Sequence, residues 1–128
     1  MDKVVHFEIP SDDRESAKRF YSTVFGWETG DMPFADGVYT YATTSPVDEN
    51  HMPLEKGSIN GGIFQREAVL RHPIITIGVA SIEDAAKRIE ASGGAMVVPA
   101  MEVPGMGYAA YFRDPEGNIM GLWQDLQL

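Results

Sequence analysis

The chain has 128 residues, 44% of them apolar and 23% charged, which are the proportions of a single globular domain whose core needs no cross-links. No apolar run approaches the eighteen or so residues of a membrane span, and the absence of cysteine removes disulfides, thiolate nucleophiles and Cys-type zinc sites. A formal charge of −9 with only ten Lys and Arg argues against a nucleic-acid partner, because counterion release needs a basic face. The opening MDKVVHFEIP has an acidic residue before a short apolar run and no small-residue cleavage site, so a cytoplasmic protein is expected.

In chain order, alternation in the first strand sends Val5, Phe7 and Ile9 to one face and Val4, His6 and Glu8 to the other. Arg14 to Phe25 then places Ala17, Phe20, Tyr21, Val24 and Phe25 on one helical stripe, with Asp13 as N-cap and Gly26 as stop. This stripe predicts that Phe20, Tyr21 and Phe25 belong to the core. Strands are expected near Glu28 to Met32, Val38 to Thr43 and Ser58 to Gln65. Between the last two, Ser45 to Gly57 lacks periodicity and reads as a mobile surface excursion.

After a link at Glu67 to His72, the pattern returns. Ile75, Ile77 and Val79 alternate with Ile74, Thr76 and Gly78. Ile82, Ala85, Ala86 and Ile89 then form a helical stripe, capped by Ser81 with Asp84 and ended by Gly93-Gly94. A shift of 68 residues sets Asp13 on Ser81, Ala17 on Ala85, Gly26 on Gly94 and Phe7 on Ile75. This is an internal duplication. Strands near Ala95 to Val98, Tyr108 to Arg113 and Ile119 to Gln124 complete a second βαβββ unit. Asp114-Pro115-Glu116-Gly117-Asn118 joins the last two as a hairpin loop, and Pro99 to Gly107 reads as a loop in which Met101 and Met106 suit an adaptable lid.

On HFEIPSDD and AKRFYSTVFGW in the first half, and SIEDAAKRIEASGG, PGMGYAAYFRDPEGN and GLWQ in the second, the chain resembles the vicinal oxygen chelate superfamily of glyoxalases, bleomycin resistance proteins and extradiol dioxygenases. The resemblance implies an α+β fold of two βαβββ modules with curved mixed sheets forming a cleft, often in a homodimer. It implies one domain over 1–128, with module one at 1–66, a linker at 67–72 and module two at 73–128. In metal-using relatives each first strand and each last strand commonly gives one ligand. The corresponding positions are His6, Ile74, Gly62 (or Gly61) and Gly121, so His6 is the only matching ligand. One imidazole does not hold a transition metal, and a divalent metal cofactor is disfavoured.

The strongest chemical pair is His6 with Glu8, placed as general base and partner, since a nearby carboxylate raises an imidazole pKa. His51 and His72 read as solvated and as a linker anchor. If the glycine positions face the cleft, Phe64 and Trp123 flank it, and the space over the glycines suits a small organic ligand. Tyr108, Gln124 and Met106 complete the expected ligand-binding set. One or more of Tyr39, Tyr41, Tyr108 and Tyr111 is expected to offer a hydroxyl, alternation alone leaving open which. The leading expectation is a small-molecule-binding protein without a full metal site. The alternative is a metal-dependent or metal-free lyase, isomerase or dioxygenase using His6 and Glu8. No membrane partner is expected.

Overall fold

A computed structural model describes residues 1–34 and 37–126; the last two residues of the expected second module lie outside them. The elements run β1 (Val4–Ser11), α1 (Arg14–Phe25), β2 (Glu28–Phe34), β3 (Gly37–Thr43), β4 (Gly61–Gln65), β5 (Ile74–Gly78), α2 (Ile82–Ala91), β6 (Ala95–Val103), β7 (Gly107–Arg113) and β8 (Ile119–Asp125). The fold is α+β, a βαβββ order stated twice. Two compact units divide the chain, His6–Pro73 on one side and Met1–Val5 with the residues from Ile74 onward on the other. No helix among the described residues is long and apolar enough to cross a membrane.

In the first unit the strand order is β2-β3-β4-β1, with β1 and β4 parallel and the other pairs antiparallel. Helix α1 begins where the Asp13 carboxylate accepts from the Ser16 N–H at 3.1 Å, and ends at Gly26, whose φ of 75° frees its N–H to reach the Ser22 carbonyl. The sheet face toward α1 carries Ile63, Ala42 and Thr40 in the core, with Lys18 of the helix bonded to Asp31 of β2 at 3.1 Å. Against expectation, α1 buries no residue, and Phe20 and Phe25 are 54% and 62% exposed. Trp27 takes the inner place instead, lying 4.7 Å from the Tyr21 ring and 5.5 Å from that of Phe7. Spacing decides which residues share a stripe; it does not decide what the stripe meets.

The segment Ser45 to Gly57, aperiodic in sequence, makes defined local contacts. Val47 bridges to Pro53, the Asp48 carboxylate accepts from the N–H groups of Asn50 and Met52, and His51 adopts φ 63°. Strand β4 starts at Gly61 rather than Ser58, and the Asn60 side chain just before it accepts from the Thr44 and Ser45 N–H groups.

In the second unit the order is β5-β8-β7-β6, with β5 and β8 parallel. The N-terminal residues belong here: the Lys3 carbonyl accepts from the Gly78 N–H at 2.9 Å. The Ser81 hydroxyl caps α2 through the Asp84 N–H, and Ile82 and Ala85 pack onto Ala110 and Leu122 with Ile77, Val79, Ile89 and Phe112 around them. The left-handed stop falls on Gly93 (φ 96°), one residue before the position the duplication matches to Gly26. Asp114-Pro115-Glu116-Gly117-Asn118 is the expected turn, with Asp114 accepting from the N–H groups of Glu116 and Asn118, and Gly117 at φ 85°. Pro99 to Gly107, however, is not a lid loop. Strand β6 continues to Val103, Met101 pairs with Ala109, and Pro99, which has no N–H to donate, sits in the irregularity between Val98 and Met101.

Candidate functional site

Strand parity brings His6 and Glu8 to the face of the first sheet that points away from α1. Glu8 lies opposite Gly62 in the parallel β1/β4 register, and Gly62 lies opposite Tyr41 in β3. Tyr39, two residues earlier on β3, shares that face. Its hydroxyl donates to Glu8 Oε2 at 2.8 Å and lies 3.1 Å from His6 Nε2, so the tyrosine bridges two residues that same-face spacing alone holds apart. A Cβ on residue 62 would overlap the Tyr39 hydroxyl and ring. Glycine at this position is what admits the tyrosine. Phe34, 6.1 Å from the Tyr39 ring, and the exposed Tyr41 add aromatic surface beside the polar group.

The expectation that Glu8 raises the His6 pKa is reversed. Burial strips water from the imidazolium and holds His6 down to about 4, a hydrogen bond with the Asn60 backbone offsetting only part of this. Glu8 is itself 6% exposed, so the tyrosine hydroxyl supplies hydrogen bonding that water no longer does. At neutral pH His6 is uncharged.

The second unit repeats the register with different chemistry. Thr76 lies opposite Gly121, as Glu8 lies opposite Gly62, and its hydroxyl stands 2.5 Å from where a Cβ at 121 would be. Thr76 is 5% exposed and its Oγ1 has no partner among the described residues. Ile74 is buried beside it, and Tyr111, paired with Gly121, shares the face. The space over the two glycines, expected to be open for a ligand, is therefore occupied by Tyr39 and by Thr76.

This donor set does not fit the family's metal. The positions that would supply ligands carry one imidazole, one isoleucine and two glycines overlain by hydroxyls. Among the described residues no three His, Cys, Asp or Glu side chains converge. Neutral hydroxyls are weak ligands beside the imidazole and carboxylate donors that zinc, nickel or manganese select.

The other sequence candidates are scattered. Phe64 is buried in the first unit, on the Gly62 parity. Trp123 follows the Gly121 parity, with its ring over Gly107 and its indole N–H donating to Asp125 at 2.7 Å. Tyr108 lies on the opposite face, against the α2 core, and Gln124 shares that face, accepting the Ile82 N–H at 2.8 Å to cap α2. Met106 is exposed in the β6/β7 turn. The structure thus joins His6 and Glu8, and separates Tyr108 and Gln124 from Trp123. Tyr39 is the residue that local reasoning did not single out; its parity with Gly62 and Tyr41 was the available signal. A shallow, open depression of about 340 Å³ borders α2, lined by Ile77, Val79, Ala85, Arg88, Ile89 and Phe112 among others, on the helix face rather than the Thr76 face.

Known proteins are similar to this chain in sequence or in fold. CFP32 of Mycobacterium tuberculosis is 28% identical over 122 residues, covering 91% of this chain and 43% of that protein. The anthracycline biosynthesis protein DnrV of Streptomyces peucetius is 26% identical over 133 residues, covering 92% and 45%. The chain spans less than half the length of these relatives. Among solved structures, a single-substitution variant of Streptomyces coelicolor methylmalonyl-CoA epimerase in complex with 2-nitronate-propionyl-CoA superposes with a TM-score of 0.69 at 14% identity, over 98% of each chain. A superfamily member from Vibrio splendidus does so at 0.61 and 17% identity, over 98% of this chain and 100% of that one. The profile of one family matches residues 3–122, nearly the whole βαβββ pair. With its two βαβββ modules, the chain belongs to the Glyoxalase/Bleomycin resistance protein/Dioxygenase superfamily.

Proposed function

We propose that the protein binds a small organic molecule on the His6–Tyr39–Glu8 face of its first module, without a metal. The observation that carries this reading is the Tyr39 hydroxyl standing over Gly62 and bonded to both His6 and Glu8. The site pairs aromatic surface from Phe34 and Tyr41 with polar atoms held at fixed positions, the composition of a recognition site. The favoured ligand is an aromatic compound bearing carbonyl or hydroxyl oxygens, and the name of the DnrV relative suggests anthracyclines as first probes. The experiment is calorimetric titration with an anthracycline and with a simple aromatic acid. Micromolar binding that weakens about tenfold in Tyr39→Phe, the loss of one hydrogen bond of about 1.4 kcal/mol, supports the reading. Equal binding by wild type, Tyr39→Phe and His6→Ala contradicts it.

The enzyme reading, a metal-free lyase or isomerase with His6 as base, is weaker on one point. An imidazole held near 4 is about three units below pH 7, where a general base is best matched near the operating pH. It survives only if ligand binding lifts His6 toward neutrality. Turnover of an enolisable carbonyl compound that rises with a pKa near 6.5 and vanishes in His6→Ala would establish it.

We further propose a homodimer that covers the aromatic stripe of α1, since Phe20, Val24 and Phe25 are exposed together. Light scattering should give twice the monomer mass for the wild type and the monomer mass for Phe20→Ser/Phe25→Ser; a monomeric wild type contradicts this.

A further inference from the structure

Four residues stand side by side across the first sheet, on the side away from α1. The ladder sets Gly30 of β2 opposite Tyr41 of β3, Tyr41 opposite Gly62 of β4, and Gly62 opposite Glu8 of β1. Tyr41 is thus flanked by two glycines. A Cβ on residue 30 would overlap the hydroxyl, Cζ and Cε1 of Tyr41, so the phenol end of that ring lies across the Gly30 backbone. Tyr39 leans the other way and lies over Gly62.

The backbone does not call for glycine at either place. Neither residue has a positive φ, and both sit within strands, where glycine leaves nothing to pack and weakens the element. What each permits is close approach: with no Cβ beneath it, a tyrosine lies down on the sheet instead of standing off it. The two rings differ in what they have left to offer. Tyr39 has its hydroxyl on Glu8 and beside His6. Tyr41 is 45% exposed and makes no hydrogen bond or ring contact among the described residues. Exposure by itself says little, since much of any folded surface is apolar; the glycine beneath the ring is what marks the position.

The geometry points to Tyr41, laid over Gly30, as a stacking platform that selects a flat, multi-ring ligand for the Tyr39 face. This rests on the binding reading given above and narrows its class of ligand. Gly30 and Gly62 lie two strand spacings apart, roughly 10 Å. A single ring stacked on Tyr41 falls short of the Tyr39 hydroxyl, whereas about three fused rings with oxygens along their edge span that distance. The phenol ring is electron-rich, so an electron-poor ring system such as a quinone is its favoured partner in offset stacking.

The test is calorimetric titration of the full chain with two probes of equal charge: doxorubicin, whose quinone ring system is flat, and amantadine, a saturated cage that carries the same ammonium group. The wild type should bind doxorubicin at least about tenfold more tightly than amantadine, with the doxorubicin ring protons moving upfield in NMR spectra. Tyr41→Val should weaken doxorubicin about tenfold and leave amantadine within about twofold, while Tyr41→Phe, which keeps the ring, should match the wild type with both probes. Gly30→Ala lifts the ring and should weaken doxorubicin in the wild-type background but not in Tyr41→Val, a dependence that a general loss of stability does not produce. Should Gly30→Ala fail to fold, the two Tyr41 variants decide. Doxorubicin binding that falls in Tyr39→Phe but not in Tyr41→Val overturns the platform and leaves the Tyr39 reading in place. Binding that falls in Tyr41→Val but in neither Tyr39→Phe nor His6→Ala upholds the platform and counts against the polar half of the site. Equal binding of the two probes to the wild type, or binding of neither, overturns the inference.

Discussion

The two modules share a backbone register and differ in what fills it. Glu8 faces Gly62 in one and Thr76 faces Gly121 in the other, and in both a hydroxyl stands over the glycine. In the first that hydroxyl arrives from Tyr39, a strand away, and is bonded twice; in the second it is Thr76's own and is bonded to nothing among the described residues. The helices diverge the opposite way. Helix α2 buries Ile82 and Ala85 in a core cluster, whereas α1 buries no residue and leaves its aromatic stripe outside. The second module thus pairs a well-packed helix with a sheet face that carries Thr76, and the first a loosely packed helix with a sheet face that carries His6, Tyr39 and Glu8.

Four substitution or titration experiments would either erase this contrast or define it more finely. The largest effect is expected at the helices. Ile82→Ala, which opens a cavity in the α2 core, should cost about 2 to 5 kcal/mol in chemical denaturation, while Val24→Ala on α1, measured in the monomeric Phe20→Ser/Phe25→Ser background, stays within about 0.5 kcal/mol. The glycines come next. Gly62→Ala expels the Tyr39 ring and breaks its hydrogen bonds, costing about 3 kcal/mol, whereas Gly121→Ala meets a threonine able to turn about one bond and should cost about 1 kcal/mol.

Hydroxyl removal should then differ in sign. Tyr39→Phe takes a donor from buried Glu8 and should destabilise by about 2 kcal/mol; Thr76→Val deletes an orphan and should be neutral or stabilising by about 1 kcal/mol. The last is a pH effect. His6 has a folded pKa of about 4 against 6.5 when unfolded, so between these values the unfolded chain binds the extra proton. Stability is full above about 6.5 and falls on acidification by about 1.4 kcal/mol per unit, ending near pH 4. His6→Gln should remove this slope, as read from denaturation midpoints at about pH 7, 6 and 5.

Much of the scaffold was legible because its determinants are local. Asp13, Ser81, Gly26 and the Asp114–Asn118 turn act within a few residues, and parity put His6 and Glu8 on one face. The rest depends on distant partners. Tyr39 meets Glu8 across 31 residues and His6 across 33, a pairing that follows only once β3, β4 and β1 are aligned. The His6 pKa went the other way from a carboxylate argument because burial, which no local motif encodes, outweighs the neighbour. Pro99 read as loop chemistry, yet it sits at an irregularity that lets β6 run on. Phe20 and Phe25 were misplaced because an apolar stripe looks the same whether it faces a sheet, a partner or water.

A tyrosine hydroxyl stands where a side chain at Gly62, the first module's last-strand ligand position, would project, and the proposed binding face is built around it. The decisive experiment titrates the untagged protein with zinc, nickel and manganese in turn while following the His6 ring resonances. Those resonances should stay in place at stoichiometric metal, with no saturable uptake. Tight one-to-one binding that shifts or broadens the His6 signals would contradict this reading of the first module.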